Sequence, residues 1–559
     1  MKIAILSDIH GNHVALKAVI KELKKEKVNK IILLGDYIGY YYNPDKVLKI
    51  LDKWDTIMIK GNHEEYLEDS LNIKNTKLIN KKYGLGMVMA IKKLTKKQKQ
   101  FLINLPISKH LKIDNLNIAL GHGSPMTVDE YIYPNTSKLK IKKIFNKKDD
   151  FVFIGHSHHS FIFKNNKQIL VNVGSVGQSR DKGGIANWAL LDTLKKNIHL
   201  KKTPYDTFQI LKELTLIDSK YEYNCKILHR NIYNNILVTG CGGDIGQSIG
   251  KIIKNEKCTK KIIGCDLNNF HSGKFIFDKC EIIPKVKSKT YLKKIREIIG
   301  KYNIELIIPI SEAELRFFTD NKISSIDNVP LIMANYTSRI IGFDKYKTYN
   351  FLKKHNLPHP WTLLANKIPT KFPCILKSRT GKGSQNIEII SAFEKTYDDK
   401  HIFQELIPSK TQEYTCGVYR SKENKINTII FKRKLLGGYT NYGEVKNNKV
   451  IQALLSQIAT KINLKGSINV QLILYNKIPY VFEINPRFSS TVLFRHMFKF
   501  KDVIWQIQES KNLKLEKFKQ IKSGKIYKGY QEYICADSKN ITINNINFNL
   551  DEFKNENTK

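Results

Sequence analysis

At 559 residues the chain is too long for one hydrophobic core, and about 150 residues per domain gives three or four domains. Its hydrophobic content of 42%, with aromatics making up 10% of the chain, excludes a disordered or fibrous protein. The formal charge of +43 invites a nucleic-acid reading, yet 84 of the 94 basic residues are Lys, spread along the whole chain. Arg is the better bidentate reader of phosphates and bases, so a solvated Lys-rich exterior is expected and a nucleic-acid partner is not.

All eight Cys fall at or after Cys225, with no C-x-x-C pair, which argues against a zinc knuckle or a disulfide framework and fits a reducing cytosol. The strand-like Lys2–Ser7 run opens the chain without a signal-like segment, and no apolar run reaches the roughly 20 residues of a membrane span. A cytoplasmic protein without membrane contact is expected, and the oligomeric state is left open.

Residues 1–203 alternate short apolar runs with amphipathic Lys-rich segments, the pattern of an α/β domain. The runs are informative where they stop. Ile3–Leu6 leads to Asp8 and His10, Ile31–Leu34 to Asp36, and Thr56–Ile59 to Asn62, His63 and Glu64. Asn117–Leu120 leads to His122, and Phe151–Ile154 to His156 and His158. Functional groups of α/β sheets gather at the C-terminal strand ends, so side chains 150 positions apart can converge there. Carboxylate, imidazole and amide oxygen together suit borderline divalent ions such as Mn, Fe, Zn or Ni. Two such ions about 3.5–4 Å apart can clamp a phosphoryl group and activate water, with Asp36 the natural bridge.

Residues 204–233 are polar and mixed and read as a helix plus linker. A fresh α/β unit, 234–340, starts at Asn235–Gly240, with Thr239-Gly-Cys-Gly-Gly-Asp-Ile-Gly246 between a strand and a helix and Asp266 closing the next strand. Alone this resembles a dinucleotide fingerprint, but the Tyr349/Lys353 pair that a reductase would need is matched no better than by chance.

In residues 341–510, Pro373–Ser384 is a strand, a basic pair (Lys377, Arg379) and a glycine turn (Gly381, Gly383, Ser384) suited to closing over a triphosphate. Gly466–Leu474 and Tyr480–Asn485 read as a hairpin turning near Asn476-Lys477. If it centres on Lys477, Gln471 stands opposite Glu483, and Asn485 shares the face of Glu483, as a magnesium site needs. Gly437-Gly438 to Gly443 is either a second loop over the site or a surface turn, and 511–559 is a polar extension.

In this order, D-x-H, G-D, G-N-H-E, G-H-G and G-H-S-H resemble the calcineurin-like metallophosphoesterases. Gly35–Tyr40, His122–Pro125 and Asn172–Asp181 resemble their small bacterial and archaeal phosphodiesterase branch. The resemblance implies a β-sandwich flanked by helices. It implies one metal on Asp8, His10, Asp36 and His158, and a second on Asp36, Asn62, His122 and His156. His63 would serve the leaving oxygen, and Arg180 would contact phosphate.

Residues 235–510 resemble a carbamoyl-phosphate-synthase-like ATP-grasp enzyme: a Rossmann-like pre-ATP-grasp domain, which Ile307–Leu315 also fits, followed by an α+β ATP-grasp domain. That implies ATP and Mg as cofactors. Lys345 and Lys377 would contact phosphates, Gln404, Glu405, Leu406 and Ile407 adenine, and Glu413 the ribose. Gln471, Glu483 and Asn485 would hold magnesium, and Arg487 the transferred phosphoryl group.

The expectation is therefore an α/β multi-domain, bifunctional enzyme: a phosphoester hydrolase fused to a carboxylate–amine ligase acting on small molecules. The alternatives are a nucleotide-sensing ATP-grasp module without turnover, and a nucleic-acid phosphodiesterase.

Overall fold

The computed structural model describes residues 1–69, 79–80, 82–218, 223–381, 387–408, 413–436, 439–513, 515, 521–529, 534–536 and 539–541. They divide into two compact units, the first built on Met1–Tyr233 and the second on Asn234–Asn255 and Lys261–Ser510.

The first unit holds ten strands: β1 (Lys2–Leu6), β2 (Lys30–Leu33), β3 (Thr56–Met58), β4 (Ser108–Ile113), β5 (Leu116–Gly121), β6 (Phe151–Ile154), β7 (Ser160–Asn165), β8 (Gln168–Val173), β9 (Ile185–Asp192) and β10 (Asn197–Pro204). They form two five-stranded sheets, ordered β10-β9-β1-β2-β3 and β4-β5-β6-β8-β7. In the first, β1, β2 and β3 are parallel, and in the second β5, β6 and β8 are.

The two-residue period of the strands explains the layers. Ile3, Ile5 and Ile32 point between the sheets and meet Ile118, Leu120, Phe151, Phe153, Val171 and Val173. Their neighbours Ala4, Leu6, Ile31 and Leu33 point the other way, onto Ala15, Leu16, Val19 and Leu23 of the helix His13–Lys25. Ala119, Val152, Ile154 and Leu170 on the far sheet face Ile132, Ile141 and Ile144. Central strands covered on both faces read as unbroken apolar runs, and each fully buried Ile or Leu contributes about 1.5–3 kcal/mol. This is a β-sandwich flanked by helices.

The stretch read as a linker, 204–233, packs inside this unit. Two helices, Phe208–Ile217 and Tyr223–Leu228, seat Ile210, Leu211, Leu214 and Leu228 against Tyr40, Tyr41, Tyr42 and Tyr83. Asp206, Gln209 and Lys212 lie on the outer face, while Asn224 and His229 are buried.

The second unit begins with β11 (Tyr233–Thr239), β12 (Thr259–Asp266), β13 (Lys279–Ile282) and β14 (Leu306–Ile308), in a sheet ordered β13-β12-β11-β14 whose β11/β14 and β12/β13 pairs are parallel. Glu314 braces its glycine loop: the carboxylate accepts from Thr239 Oγ1 (2.8 Å), Ser311 Oγ (2.6 Å) and the Tyr291 hydroxyl (2.6 Å). The short hairpin β15 (Ser325–Ile326) and β16 (Val329–Pro330) follows.

Next come β17 (Thr362–Leu364), β18 (Cys374–Ser378), β19 (Glu388–Ile390) and β20 (His401–Glu405), a sheet ordered β17-β20-β18-β19. Then β21 (Glu413–Arg420), β22 (Ile426–Leu436), β23 (Tyr439–Val445), β24 (Gly466–Tyr475), β25 (Ile478–Asn485) and β26 (Gly524–Tyr527) form a sheet ordered β25-β24-β21-β22-β23-β26. Gly524–Tyr527, placed by sequence in a featureless extension, thus joins a sheet edge. Of the expected second loop, Gly437 and Gly438 lie outside the described residues. Among the described residues no helix is long and apolar enough to cross a membrane.

Candidate functional site

In the first unit, the chain leaving β1, β2, β3, β5 and β6 carries Asp8, His10, Asp36, Asn62, His122, His156 and His158 to one buried point. Five of them hold the left-handed backbone region: Asp8 (φ 54°), His10 (50°), Asp36 (58°), His156 (63°) and His158 (60°). Each such residue costs about 1–3 kcal/mol unless its surroundings hold it. Here the Asp8 N–H donates to Gly35 O (3.1 Å), the His10 N–H to Asp36 O (2.9 Å) and the Gly177 N–H to Asp8 O (2.9 Å).

The ring orientations are fixed from behind. His10 Nδ1 lies 3.0 Å from Ile38 O, His122 Nδ1 2.6 Å from Leu34 O, and His158 Nδ1 2.7 Å from Gln178 O. A ring that donates through Nδ1 presents its Nε2 lone pair to the centre. His10 Nε2 and His158 Nε2 then face each other at 3.1 Å, with Asp8 Oδ1 3.0 Å from His158 Nε2. His122 Nε2 faces Asn62 Oδ1 at 3.1 Å and Asp36 Oδ2 at 3.3 Å. His156 Nε2 and Asp8 Oδ1 are buried without a hydrogen-bond partner. Lone pairs crowded together away from water are unfavourable by themselves and suit cations between them.

The electrostatics agree. Burial pushes His63 and His156 down to about 3 and His158 to about 4, which keeps these rings neutral. Burial also opposes ionisation of Asp8 and Asp36, but the imidazoles of His158 and His122 outweigh it and hold both carboxyls low. Burial disfavours charge on His122 too, yet Asp36 and Asp8 raise it to about 10. Two buried carboxylates draw in positive charge, which either a proton on His122 or a bound cation can supply.

His63 sits beside this group, its Nε2 4.0 Å from Asp36 Oδ2 and its buried Nδ1 without a partner. Glu64 supports the turn from below, its carboxylate accepting the N–H groups of Asp36 (2.8 Å), Tyr37 (2.9 Å) and Gly61 (2.9 Å). Burial and the charge of Asp36 raise the Glu64 carboxyl to about 8.

Tyr66, Tyr83, Tyr131, Tyr133, Tyr223 and Asn224 around the centre carried no sequence signal, whereas Tyr40 and Arg180 fall in stretches already singled out. Tyr131 lies with its ring 4.0 Å from that of His156 and stacks on Tyr133 at 5.8 Å. Tyr40, Tyr66 and Tyr83 surround His63, and Tyr223 stacks on Tyr40. Arg180, mostly buried, interacts electrostatically with Tyr40, Tyr131, Tyr223 and Asp8. Asn224 takes a hydrogen bond from Gln178 Nε2 (2.9 Å) and donates to Tyr40 O (3.1 Å), so the supposed linker reaches the shell around His158. Tyrosines at irregular spacing have no pattern by which sequence could group them.

In the second unit, Lys377 Nζ donates to Gln404 Oε1 (2.7 Å), and Lys345 Nζ stands 3.6 Å from Glu483 Oε1. Burial lowers Lys377 to about 8, with Glu483 opposing the shift and Lys345 adding to it. Gln471 pairs with Glu483, and Asn469 with Asn485. The reason differs from the expected centre at Lys477. The turn is Asn476-Lys477, both in the left-handed region (φ 49° and 65°), with Tyr475 opposite Ile478. Symmetric pairing from that turn would set Gln471 against Phe482. A bulge skips Phe482, and Glu483 takes the place.

Other expected contacts are engaged elsewhere. The Arg379 guanidinium pairs with Asp344, the N-cap of the helix Lys345–Lys354, with Nη2 2.8 Å from Oδ2. The Glu413 carboxylate accepts from Arg433, and Arg487 Nη1 donates to Phe488 O (3.0 Å). Glu405 accepts the Trp361 N–H (3.0 Å), and Ile407 is buried. Lys345 Nζ reaches Gly381 O at 3.5 Å, while Gly383 and Ser384 lie outside the described residues.

Residues 1–196 match the calcineurin-like phosphoesterase superfamily domain, 236–332 the PylC-like N-terminal domain and 343–491 the ATP-grasp domain. An uncharacterized protein of Methanocaldococcus jannaschii is 30% identical over 224 residues, 36% of this chain and 88% of that protein. The tyramine–L-glutamate ligase of the same organism is 22% identical over 244 residues, 42% of this chain and 71% of the ligase. The solved L-amino acid ligase from Bacillus licheniformis shares 14% identity at a TM-score of 0.42, over 54% of this chain and 81% of that one.

Proposed function

Because the chain belongs to the calcineurin-like phosphoesterase superfamily through residues 1–196 and carries an ATP-grasp domain behind it, we propose a bifunctional enzyme. Its first activity is hydrolysis of a small-molecule phosphoester at a dinuclear metal centre. Its second is ATP-driven joining of a carboxylate to an amine.

The observation that carries the first activity is the set of inward-facing acceptors, above all the His10 and His158 Nε2 atoms 3.1 Å apart. The donor set fits two borderline divalent ions. Asp8, His10, Asp36 and His158 hold one, and Asp36, Asn62, His122 and His156 hold the other. When bound, such ions supply positive charge to the phosphoryl oxygens and lower the pKa of water. The chain's own contribution is orientation and hydrogen bonding. His63, whose Nδ1 has no hydrogen-bond partner, steadies the departing oxygen as a neutral ring, and Arg180 adds charge on the phosphate side. The tyrosines wall the centre from bulk water.

For the second activity, Lys345 and Lys377 contact the phosphates, and Gln471, Glu483 and Asn485 hold magnesium. Gln404, Glu405 and Ile407 line the adenine and Glu413 the ribose. Arg487 stabilises the transferred phosphoryl group, and Arg379, Gly381, Gly383 and Ser384 belong with the triphosphate contacts. A relative named for joining tyramine to L-glutamate supports an amine as the nucleophile.

Metal analysis of the purified chain, assay of a generic phosphodiester, and ADP release against carboxylate–amine pairs test both activities. The hydrolase reading requires metal-dependent turnover that Asp36→Asn abolishes. Unchanged turnover in that variant overturns it.

A further inference from the structure

Three side chains meet in the second unit that neither proposed activity uses, with a fourth, Cys280, beside them. Cys241 lies in the glycine loop after β11, Asp266 ends β12, His271 follows in the next loop, and Cys280 lies in β13. Cys241 Sγ stands 3.8 Å from His271 Nε2, and the thiol of Cys280 is near enough to that of Cys241 to interact with it electrostatically. Donor atoms of Cys241, Asp266 and His271 all lie within 4.8 Å of one another.

The packing keeps this space for these groups. A Cβ at Gly264 would sit 2.8 Å from Cys241 Sγ, and one at Gly242 2.8 Å from the His271 ring. Asp266 is oriented from behind, Oδ2 accepting the Gly242 N–H (2.8 Å) and Oδ1 the Leu267 N–H (2.7 Å). His271 Nδ1 is buried without a hydrogen-bond partner. A buried Cys alone is ordinary packing. A thiol, an imidazole and a braced carboxylate at one point, with a second thiol beside them, are a ligand set.

The dimensions suit tetrahedral zinc. Zn–S near 2.3 Å and Zn–N near 2.0–2.1 Å at a tetrahedral angle set sulfur and nitrogen about 3.5 Å apart. The observed 3.8 Å needs only a small closure. Thiolate sulfur selects zinc-like ions over magnesium or calcium, which prefer oxygen.

We propose that Cys241, Cys280, His271 and Asp266 bind one thiophilic divalent cation of the zinc class, which clamps the glycine loop to the ends of β12 and β13. The site shares no residue with the phosphoesterase centre or with the proposed nucleotide site. Asp266, which a dinucleotide reading would give to a ribose, is instead a ligand already fixed to the loop.

Cobalt distinguishes this site from the phosphoesterase centre, whose ligands are nitrogen and oxygen only. Titration of the chelator-treated full chain with Co(II) is expected to develop a near-ultraviolet thiolate-to-cobalt band, saturating at a single equivalent and bleached by zinc. Cys241→Ser and Cys280→Ser each remove most of that band. His271→Gln, on the half-exposed side, keeps a weaker band with affinity lower by about ten-fold or more. Unchanged circular dichroism in that variant separates ligand loss from misfolding. No thiolate band in the wild type, a band that survives in the double Cys→Ser variant, or a Cys241–Cys280 disulfide in protein prepared anaerobically would each overturn the proposal.

Discussion

The ring of His63 lies directly over Gly39, so that a Cβ at position 39 would stand 2.0 Å from His63 Nδ1. Gly39 also holds φ +87°, a region that costs an L side chain about 1–2 kcal/mol. Gly39→Ala is therefore expected to displace His63 without touching a ligand residue. Turnover of a generic phosphodiester should fall by about 10²-fold or more, near the loss in His63→Ala, since a positioned proton donor contributes about 10²–10⁴-fold. Metal content should stay at the wild-type level. Wild-type kcat in Gly39→Ala would mean that His63 does not serve the departing oxygen.

Chelation should destabilise the first unit. The His10 and His158 Nε2 lone pairs face one another at 3.1 Å. An ion that binds only the folded state adds about 2.7 kcal/mol at a concentration one hundred times its dissociation constant. Removal of metal is expected to lower the Tm of the wild type and not that of Asp36→Asn, which should bind little metal from the start. Calorimetry with and without manganese checks both. A Tm insensitive to metal in the wild type would mean that the acceptors need no cation.

The meeting of the side chains from Asp8 to His158 was readable because each follows a strand whose apolar run ends at it, and the parallel strands β1, β2 and β3 of one sheet and β5 and β6 of the other carry them to C-terminal strand ends. The support around it was not. Gln178, Asn224 and Tyr40 meet through folding of 204–233, where polar outer faces hide the buried stripe of Ile210, Leu211 and Leu214. The pairing of Gln471 with Glu483 was reached from a turn centred one half-residue away, and the Phe482 bulge made up the difference. A bulge leaves no mark in a period-two pattern. Cys241 and Cys280 are 39 positions apart, and only the parallel sheet juxtaposes them.

Asn224 gives a direct measure of that hidden support. It is buried and joins the Gln178 side chain to the Tyr40 carbonyl, while the Gln178 backbone carbonyl anchors His158. Asn224→Leu leaves buried polar partners unpaired, at about 1–3 kcal/mol each. A lower urea midpoint is expected, together with weaker metal affinity. If 204–233 were an independent linker, neither would change.

Glu483→Gln should separate the two activities. It keeps the hairpin pairing with Gln471 but removes the charge facing Lys345 at 3.6 Å. ADP release is expected to fall by about 10²–10³-fold, the usual loss when one preorganised electrostatic group is removed, with phosphodiester hydrolysis unchanged. Equal ADP release in variant and wild type, or none in either, would favour a nucleotide-binding module without ligase turnover.

His13 predicts an acid sensitivity of known sign. It is buried at the first position of the helix His13–Lys25, where the helix dipole is positive, with no hydrogen-bond partner on Nδ1. Burial pushes it down to about 4, helped by Lys46, Lys17 and Lys93 and opposed by Asp45. Above about pH 6.5 the ring is neutral in both folded and unfolded chains, and its contribution is constant. Between about 6.5 and 4 only the unfolded chain takes the proton, so stability falls as the pH is lowered through that window. Below about 4 both states are protonated and no further loss comes from this ring. His13→Gln should flatten the urea midpoint between pH 6.5 and 4 relative to wild type, both measured in chelator so that metal loss cancels. Parallel curves for the two proteins would mean that His13 takes its proton in the folded state as readily as in the unfolded one.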